Sequence, residues 1–385
     1  MKIILAPDSF KGSLTQMQVI EGLEKAAKRH FPGCETLRFP IADGGEGTVE
    51  ALLTAAGGEA RYGKVKDSLG RDVTAKYGIL RGDTAVVEMA AADGLTLFQE
   101  EERNLEEASS FGTGQLIKEV LEAGYRKLIL AIGGSATNDG GMGAMTALGM
   151  EFLDGEGQVI LPAGKNLERI AKIRTEGLHP ALSEADLTIM CDVDNPLLGP
   201  GGATSVYGPQ KGGTPEILKR LEAGMKNYAD VLLETTGKAF HDMPGAGAAG
   251  GIAVPFLAFT GAKMRSGISV VLETMGFEES LADADLVVTG EGRLDHQSLC
   301  GKVLCGIGNL CKRHEVPVVA LVGGIGDGGE AIYDLGVESV MVLVDQVMEL
   351  SEAMEEAERL LESAVDRMFR LIRLGRALAS KRQKP

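Results

Sequence analysis

Seven short runs of apolar, often β-branched residues recur along the chain, and each ends in or near Gly or Asp: KIILAPD, TAVVEMA, KLILAIGGS, DLTIMCDVD, DLVVTGEG, VPVVALVGG and SVMVLVD. Between them lie stretches with the period of an amphipathic helix. Ile117, Val120 and Leu121 form one apolar face, and Leu14, Met17, Ile20 and Leu23 form another behind Ser13 as N-cap. Strands that are apolar on both faces and alternate with helices predict parallel sheets covered on two sides. Residues 60–80 lack helical period and predict a hairpin or a crossover. From about Val347 to Arg376 the pattern predicts one long helix, striped by Met354, Ala357, Leu361, Ala364, Met368 and Leu371, with acids early and Arg late as the helix dipole prefers.

A chain of 385 residues exceeds what one core usually holds, so two domains are expected. A middle domain inserted into a split outer one fits the pattern, as 1–75 plus 286–385 around 76–285, with the active site in the cleft between them. Contiguous halves fit nearly as well. The net charge of −16 repels nucleic acid and anionic membranes, and without Trp there are few platforms on which bases could stack. A small anionic substrate remains compatible if a few Lys and Arg are focused on it. No stretch approaches 18 apolar residues, and the N-terminal apolar run is too short for a secretion signal, so a cytoplasmic protein is expected. The spacing of Cys300, Cys305 and Cys311 matches no common zinc site and predicts reduced thiols. A homo-oligomer is compatible with all of this.

Ligands of open parallel sheets sit at the carboxyl ends of strands. After the first strand come Asp8, Ser9 and Lys11, with Gly12 and Ser13 expected to open a helix. A lysine in a first helical turn opposes the dipole and calls for an anionic partner, although Asp8 and Ser9 also serve as plain caps. Asp43 and Glu46 stand on a Gly loop before a helix, suited to a hydroxyl or a metal, or equally to capping. Gly133, Gly134 and Ser135 end a strand, and Asn138 and Asp139 sit inside a second Gly group; backbone N–H groups in such a loop can cradle phosphate. Asp192, Asp194 and Asn195 come after another strand, where a carboxylate could orient an attacking hydroxyl or simply form a turn before Pro196. Downstream, Lys211 reads as a solvated loop lysine. Glu291, Arg293, Asp295, Ser298 and Lys302 alternate acid and base at a strand end where core packing explains none of them.

Two Gly-rich stretches match the dinucleotide fingerprint. Gly324, Gly326 and Gly329 come after a strand, with Asp345 ending the next, which supports an alternative: an NAD-dependent dehydrogenase of a small hydroxy acid. Gly245, Gly247 and Gly250 match without a preceding strand.

APDSFKGS, DGGEGT, GGSATNDGG, PGAGAAGG and TGEGRLDHQSLCGK, in this order over essentially the whole chain, resemble the bacterial glycerate kinase family of the type-one group. The resemblance implies a flavodoxin-like (Rossmann-like) α/β domain built from both chain ends, with a second α/β domain inserted in it. It implies phosphorylation of D-glycerate by ATP with Mg2+, usually at the 2-hydroxyl. The matching motifs carry over Asp8, Ser9, Lys11, Asp43, Glu46, Asn138, Asp139, Asp192, Asn195, Glu291, Asp295, Ser298 and Lys302 as site residues but not their roles, which are inferred from side-chain chemistry: Asp192, Lys11 and Asp8 are expected to be catalytic. Ser9, Asp43, Glu46, Arg293 and Asn195 would bind substrate. Gly133, Gly134, Ser135, Asn138, Asp139, Ser298 and Lys302 would bind nucleotide, and Glu291 and Asp295 the metal.

Overall fold

The computed structural model describes residues 1–41, 47–295 and 303–382. Its strands, in chain order, are β1 (Lys2–Pro7), β2 (Glu35–Arg38), β3 (Gly58–Lys66), β4 (Asp72–Leu80), β5 (Thr84–Glu88), β6 (Lys127–Ala131), β7 (Glu151–Leu153), β8 (Lys172–Arg174), β9 (Asp186–Met190), β10 (Lys263–Arg265), β11 (Leu286–Leu294), β12 (Val318–Ile325) and β13 (Ser339–Val342). All seven apolar runs are strands, and residues 60–80 lie in the antiparallel hairpin of β3 and β4.

The chain forms two compact units, one of Met1–Asp43 with Ile268–Pro385 and one of Gly44–Gly267. The sequence pattern places the crossings at 75/76 and 285/286. The units divide earlier at both ends, and the first difference has a plain cause: β3 and β4 continue through β5 into the sheet of the second unit.

In the first unit the sheet order is β13-β12-β11-β1-β2, all parallel. Numbered by sequence within the unit this is 2-1-3-4-5, the flavodoxin-like order, and its switch point falls between β1 and β11. The two strands are stitched at that point by Thr289, whose buried hydroxyl donates to the Ala6 carbonyl over 2.9 Å. One face is covered by helix Gln16–His30 packed on helix Ala357–Arg382, with Leu23, Leu361, Ala364 and Phe369 in the shared core. The expected single C-terminal helix is two, Leu350–Glu355 and Ala357–Arg382. Its predicted stripe is buried from Ala357 to Met368, whereas Met354 and Leu371 are 38% and 60% exposed.

In the second unit the order is β10-β9-β6-β5-β4-β3, with β5, β6, β9 and β10 parallel. These four run in sequence order without reversal, so this sheet has no switch point of its own among its parallel strands. Helix Phe111–Glu122 lies against the short helix Met142–Ala147 by close backbone approach: a Cβ on Gly114 would meet the Ala144 carbonyl oxygen at 2.3 Å.

Candidate active site

At the switch point the backbone N–H of Asp8 donates to the Gly290 carbonyl over 2.9 Å, which carries the pairing of β1 and β11 one step past β1. The Asp8 side chain is 7% exposed, and its Oδ1 accepts the N–H of Ser9 at 2.6 Å. The next residues do not open a helix. Phe10 and Leu14 exchange backbone hydrogen bonds of 2.8 and 3.0 Å across a tight turn whose Gly12 has φ +80°, and the Phe10 and Leu14 side chains are buried. The helix begins at Gln16, capped by Thr15 in a reciprocal box with Gln18. The dipole argument for Lys11 therefore fails, because Lys11 lies in that turn. The lysine nonetheless reaches the site.

From β11 come Glu291, 8% exposed, and the more open Arg293, and just past its end Asp295, whose Oδ2 is 3.4 Å from Arg293 Nε. Asp8, Ser9, Lys11, Glu291, Arg293 and Asp295 all line one cavity of about 680 Å3 within the first unit. Three carboxylates and two cationic side chains thus gather at the ends of two adjacent strands. Among the described residues, no three Asp, Glu, His or Cys side chains converge closely enough to hold a metal by themselves. Two carboxylates do suit Mg2+, which keeps its waters and is usually completed by substrate phosphates. Asp43, Glu46, Ser298 and Lys302 lie outside the described residues.

The remaining expected residues belong to the second unit. β6 runs into Gly133, Gly134 and Ser135, a loop held by Leu95 N–H to the Gly134 carbonyl (2.9 Å) and Ala136 N–H to the Asp93 carbonyl (2.8 Å). Beneath it lies Lys211, which is buried and not solvated. Its Nζ donates to Ser135 Oγ at 2.9 Å and to the Thr137 carbonyl at 2.7 Å, and burial pushes its pKa down to about 7. Its sequence signal was the ring of glycines around it: Gly208, Gly212 and Gly213 all sit in close contacts that would crowd a side chain.

Asn138 and Asp139 point inward. Asp139 accepts the N–H and hydroxyl of Ser110 and the N–H groups of Gly141 and Gly143, at 2.8–3.1 Å, so it secures the start of helix Met142–Ala147. Burial raises its pKa against the pull of those donors. Asn138 donates to Thr204 Oγ1 at 3.1 Å. The Gly245–Gly250 stretch is the other side of this packing, with Gly140 N–H donating to the Gly250 carbonyl at 2.9 Å. Asn195 likewise closes its own loop, accepting from the Tyr207 hydroxyl at 2.6 Å and donating to the Gly201 carbonyl at 2.8 Å. Asp192, half-buried just beyond β9, accepts the Gly267 N–H at 2.7 Å.

The dinucleotide alternative loses its geometry. Gly324 is still within β12, and the next element is the 3-10 helix Gly329–Leu335, which offers no α-helical N-terminus to a pyrophosphate. Asp345 is engaged by Arg359 at 3.2 Å. Of the cysteines, Cys34, Cys191, Cys305 and Cys311 are free thiols, and burial pushes Cys311 up to about 12; Cys300 lies outside the described residues. No described helix is long and apolar enough to cross a membrane.

Comparison with known proteins agrees along nearly the whole chain. Residues 3–373 match the model of the glycerate kinase family. The chain is 42% identical to the glycerate kinase of Bacillus subtilis, covering 98% of this chain and 99% of the relative. It is 41% identical to the glycerate 2-kinase of Escherichia coli, covering 93% and 94%. The crystal structure of a glycerate kinase 2 candidate from Salmonella typhimurium LT2 superposes with a TM-score of 0.86 at 39% identity, covering 98% of this chain and 99% of that one. Fold, site and relatives together define a kinase, an enzyme that transfers a phosphoryl group to an alcohol. The chain belongs to the glycerate kinase family.

Proposed function

We propose that the protein phosphorylates D-glycerate with ATP as donor, and that the phosphoryl group goes to the 2-hydroxyl. The cavity at the carboxyl ends of β1 and β11, where Asp8, Lys11, Glu291, Arg293 and Asp295 meet, carries this reading. Glycerate and ATP are both anionic, and in a chain of net charge −16 they need local cations, which Lys11 and Arg293 supply. Glu291 and Asp295 would hold Mg2+, which when bound neutralises charge on phosphate oxygens. Asp8 fixes Ser9, so that the Ser9 hydroxyl and Lys11 are presented at the strand end as polar contacts for the acid. Asp192 would orient the attacking hydroxyl and take up its proton. In the second unit, Gly133, Gly134 and Ser135 would contact phosphate through backbone groups, whereas Asn138, Asp139 and Asn195 shape their loops. The name of the E. coli relative supports the 2-hydroxyl. ATP as co-substrate favours a cytoplasmic location.

The test is release of ADP from ATP and Mg2+ with and without D-glycerate, and then phosphorus NMR of the product. ADP formed in step with glycerate consumed, and a phosphorus signal coupled to the single C2 proton, are expected. Absence of glycerate-dependent ADP overturns the activity, and a signal coupled to the two C3 protons overturns the regiochemistry.

A further inference from the structure

The first-unit cavity is charged at one end only. From the switch point it continues past the carboxyl ends of β12 and β13 to helix Leu350–Glu355, where Ile325, Leu343, Met348, Leu350, Met354 and Leu360 line it and no charged side chain does. β1, β11, β12 and β13 are consecutive neighbours in the sheet, and three inter-strand spacings span about 14 Å. The cavity is thus elongated and amphiphilic, and its volume of about 680 Å3 falls in the range of small-molecule sites. Glycerate has three carbons and four oxygens, and it has no use for a six-residue apolar wall.

That wall is open to solvent. Leu350 is 75% exposed, Ile325 52% and Met354 38%, an unusual cluster of large apolar side chains around a concave surface. Helix Leu350–Glu355 also closes over the turn at Gly12, where an added Cβ would come within 2.7 Å of Met354 Cε. The same methionine therefore adjoins both the turn that carries Lys11 and the apolar wall. Thioether side chains adapt their shape and make favourable contacts with aromatic rings.

We propose that this apolar half seats the base and sugar of the nucleotide, with its phosphates running back to Lys11 and Arg293. The first unit would then bind the nucleoside chiefly by apolar burial along the ends of β12 and β13. This rests on ATP being the donor, and the experiment separates the two.

Wild-type turnover of D-glycerate with ATP is measured first, and its absence would sink the kinase reading itself. Given turnover, Met354→Asn, a neutral change that does not repel phosphate, is expected to raise the KM for ATP at least about tenfold with the KM for D-glycerate unchanged. An unchanged KM for ATP overturns the nucleoside site, as does an equal rise in both constants. Because the chain has no tryptophan, Leu350→Trp places a single reporter on the wall. Its fluorescence is expected to change with ADP and with adenosine, and not with tripolyphosphate or D-glycerate. A response to tripolyphosphate or glycerate but not to adenosine would assign the wall to another ligand and overturn the proposal.

Discussion

The ammonium group of Lys211 lies 2.9 Å from the hydroxyl of Ser135, in a place where only 3% of the lysine is exposed. The two oxygens that accept from it, that hydroxyl and the Thr137 carbonyl, are both neutral. Burial lowers its pKa from 10.5 to about 7, while the Asp139 charge pulls the other way. The unfolded chain therefore binds more protons than the folded one between about pH 7 and 10.5, and stability arising from this group rises with pH across that window. Urea denaturation of wild type and Lys211→Met at pH 7 and pH 9 should show wild type gaining relative to the variant, by up to about 1.4 kcal/mol per pH unit. A constant difference would mean that Lys211 titrates as an exposed lysine does.

Asp139→Ala removes the acceptor of three backbone N–H groups and one hydroxyl at a site with no access to water. Hydrogen bonds to charged groups each contribute about 1.5–3 kcal/mol, partly offset here by the burial that raises this carboxyl's pKa. A net loss of about 3 kcal/mol in denaturant unfolding is expected. A loss below about 1 kcal/mol would make Asp139 a ligand contact again rather than a structural anchor.

Gly114→Ala should destabilise the second unit by about 1–3 kcal/mol, because the new methyl group meets the Ala144 carbonyl at 2.3 Å and the two helices must separate. Gly124→Ala is the control for left-handed backbone strain without a clash, since φ there is +95° and nothing lies within 4 Å. Unfolding curves of the two variants separate crowding from backbone strain.

Asp192→Asn should lower kcat at least about 100-fold with little change in KM, in line with the contribution of a general base. The amide keeps an oxygen for the Gly267 N–H, so the fold should survive. Near-normal turnover of a folded variant would remove Asp192 from the chemistry.

The strands were legible because their signals are local: β-branched runs punctuated by Gly and Asp need no tertiary information, and the hairpin at 60–80 showed its lack of helical period. The start of the first helix is ambiguous in sequence because Ser13 and Thr15 are both good caps. Each also has a Gln three residues on, Gln16 and Gln18, so the sequence offers two boxes; only the one between Thr15 and Gln18 forms, while the Ser13 hydroxyl donates to the Phe10 carbonyl at 3.0 Å. The break at Glu356 has no Gly or Pro to announce it, so the pattern reads as an unbroken stripe. The acids and bases at the ends of β1 and β11 stood out in the sequence because core packing gave them no purpose, and Asp8, Lys11, Glu291, Arg293 and Asp295 do line one cavity. Lys211 and Asp139 were not, because what decides their roles is a partner 76 residues away in one case and 29 in the other.

Thr289 donates to Ala6 across 283 residues of chain. On the ribosome β1 therefore emerges long before its neighbour β11 exists, by roughly 15–60 s at ordinary synthesis rates. The inserted unit, whose strands all lie between those two, has the whole of that interval to fold. Meanwhile an apolar strand waits with one edge unpaired, a natural client for a chaperone and the segment from which misassembly of this chain would start.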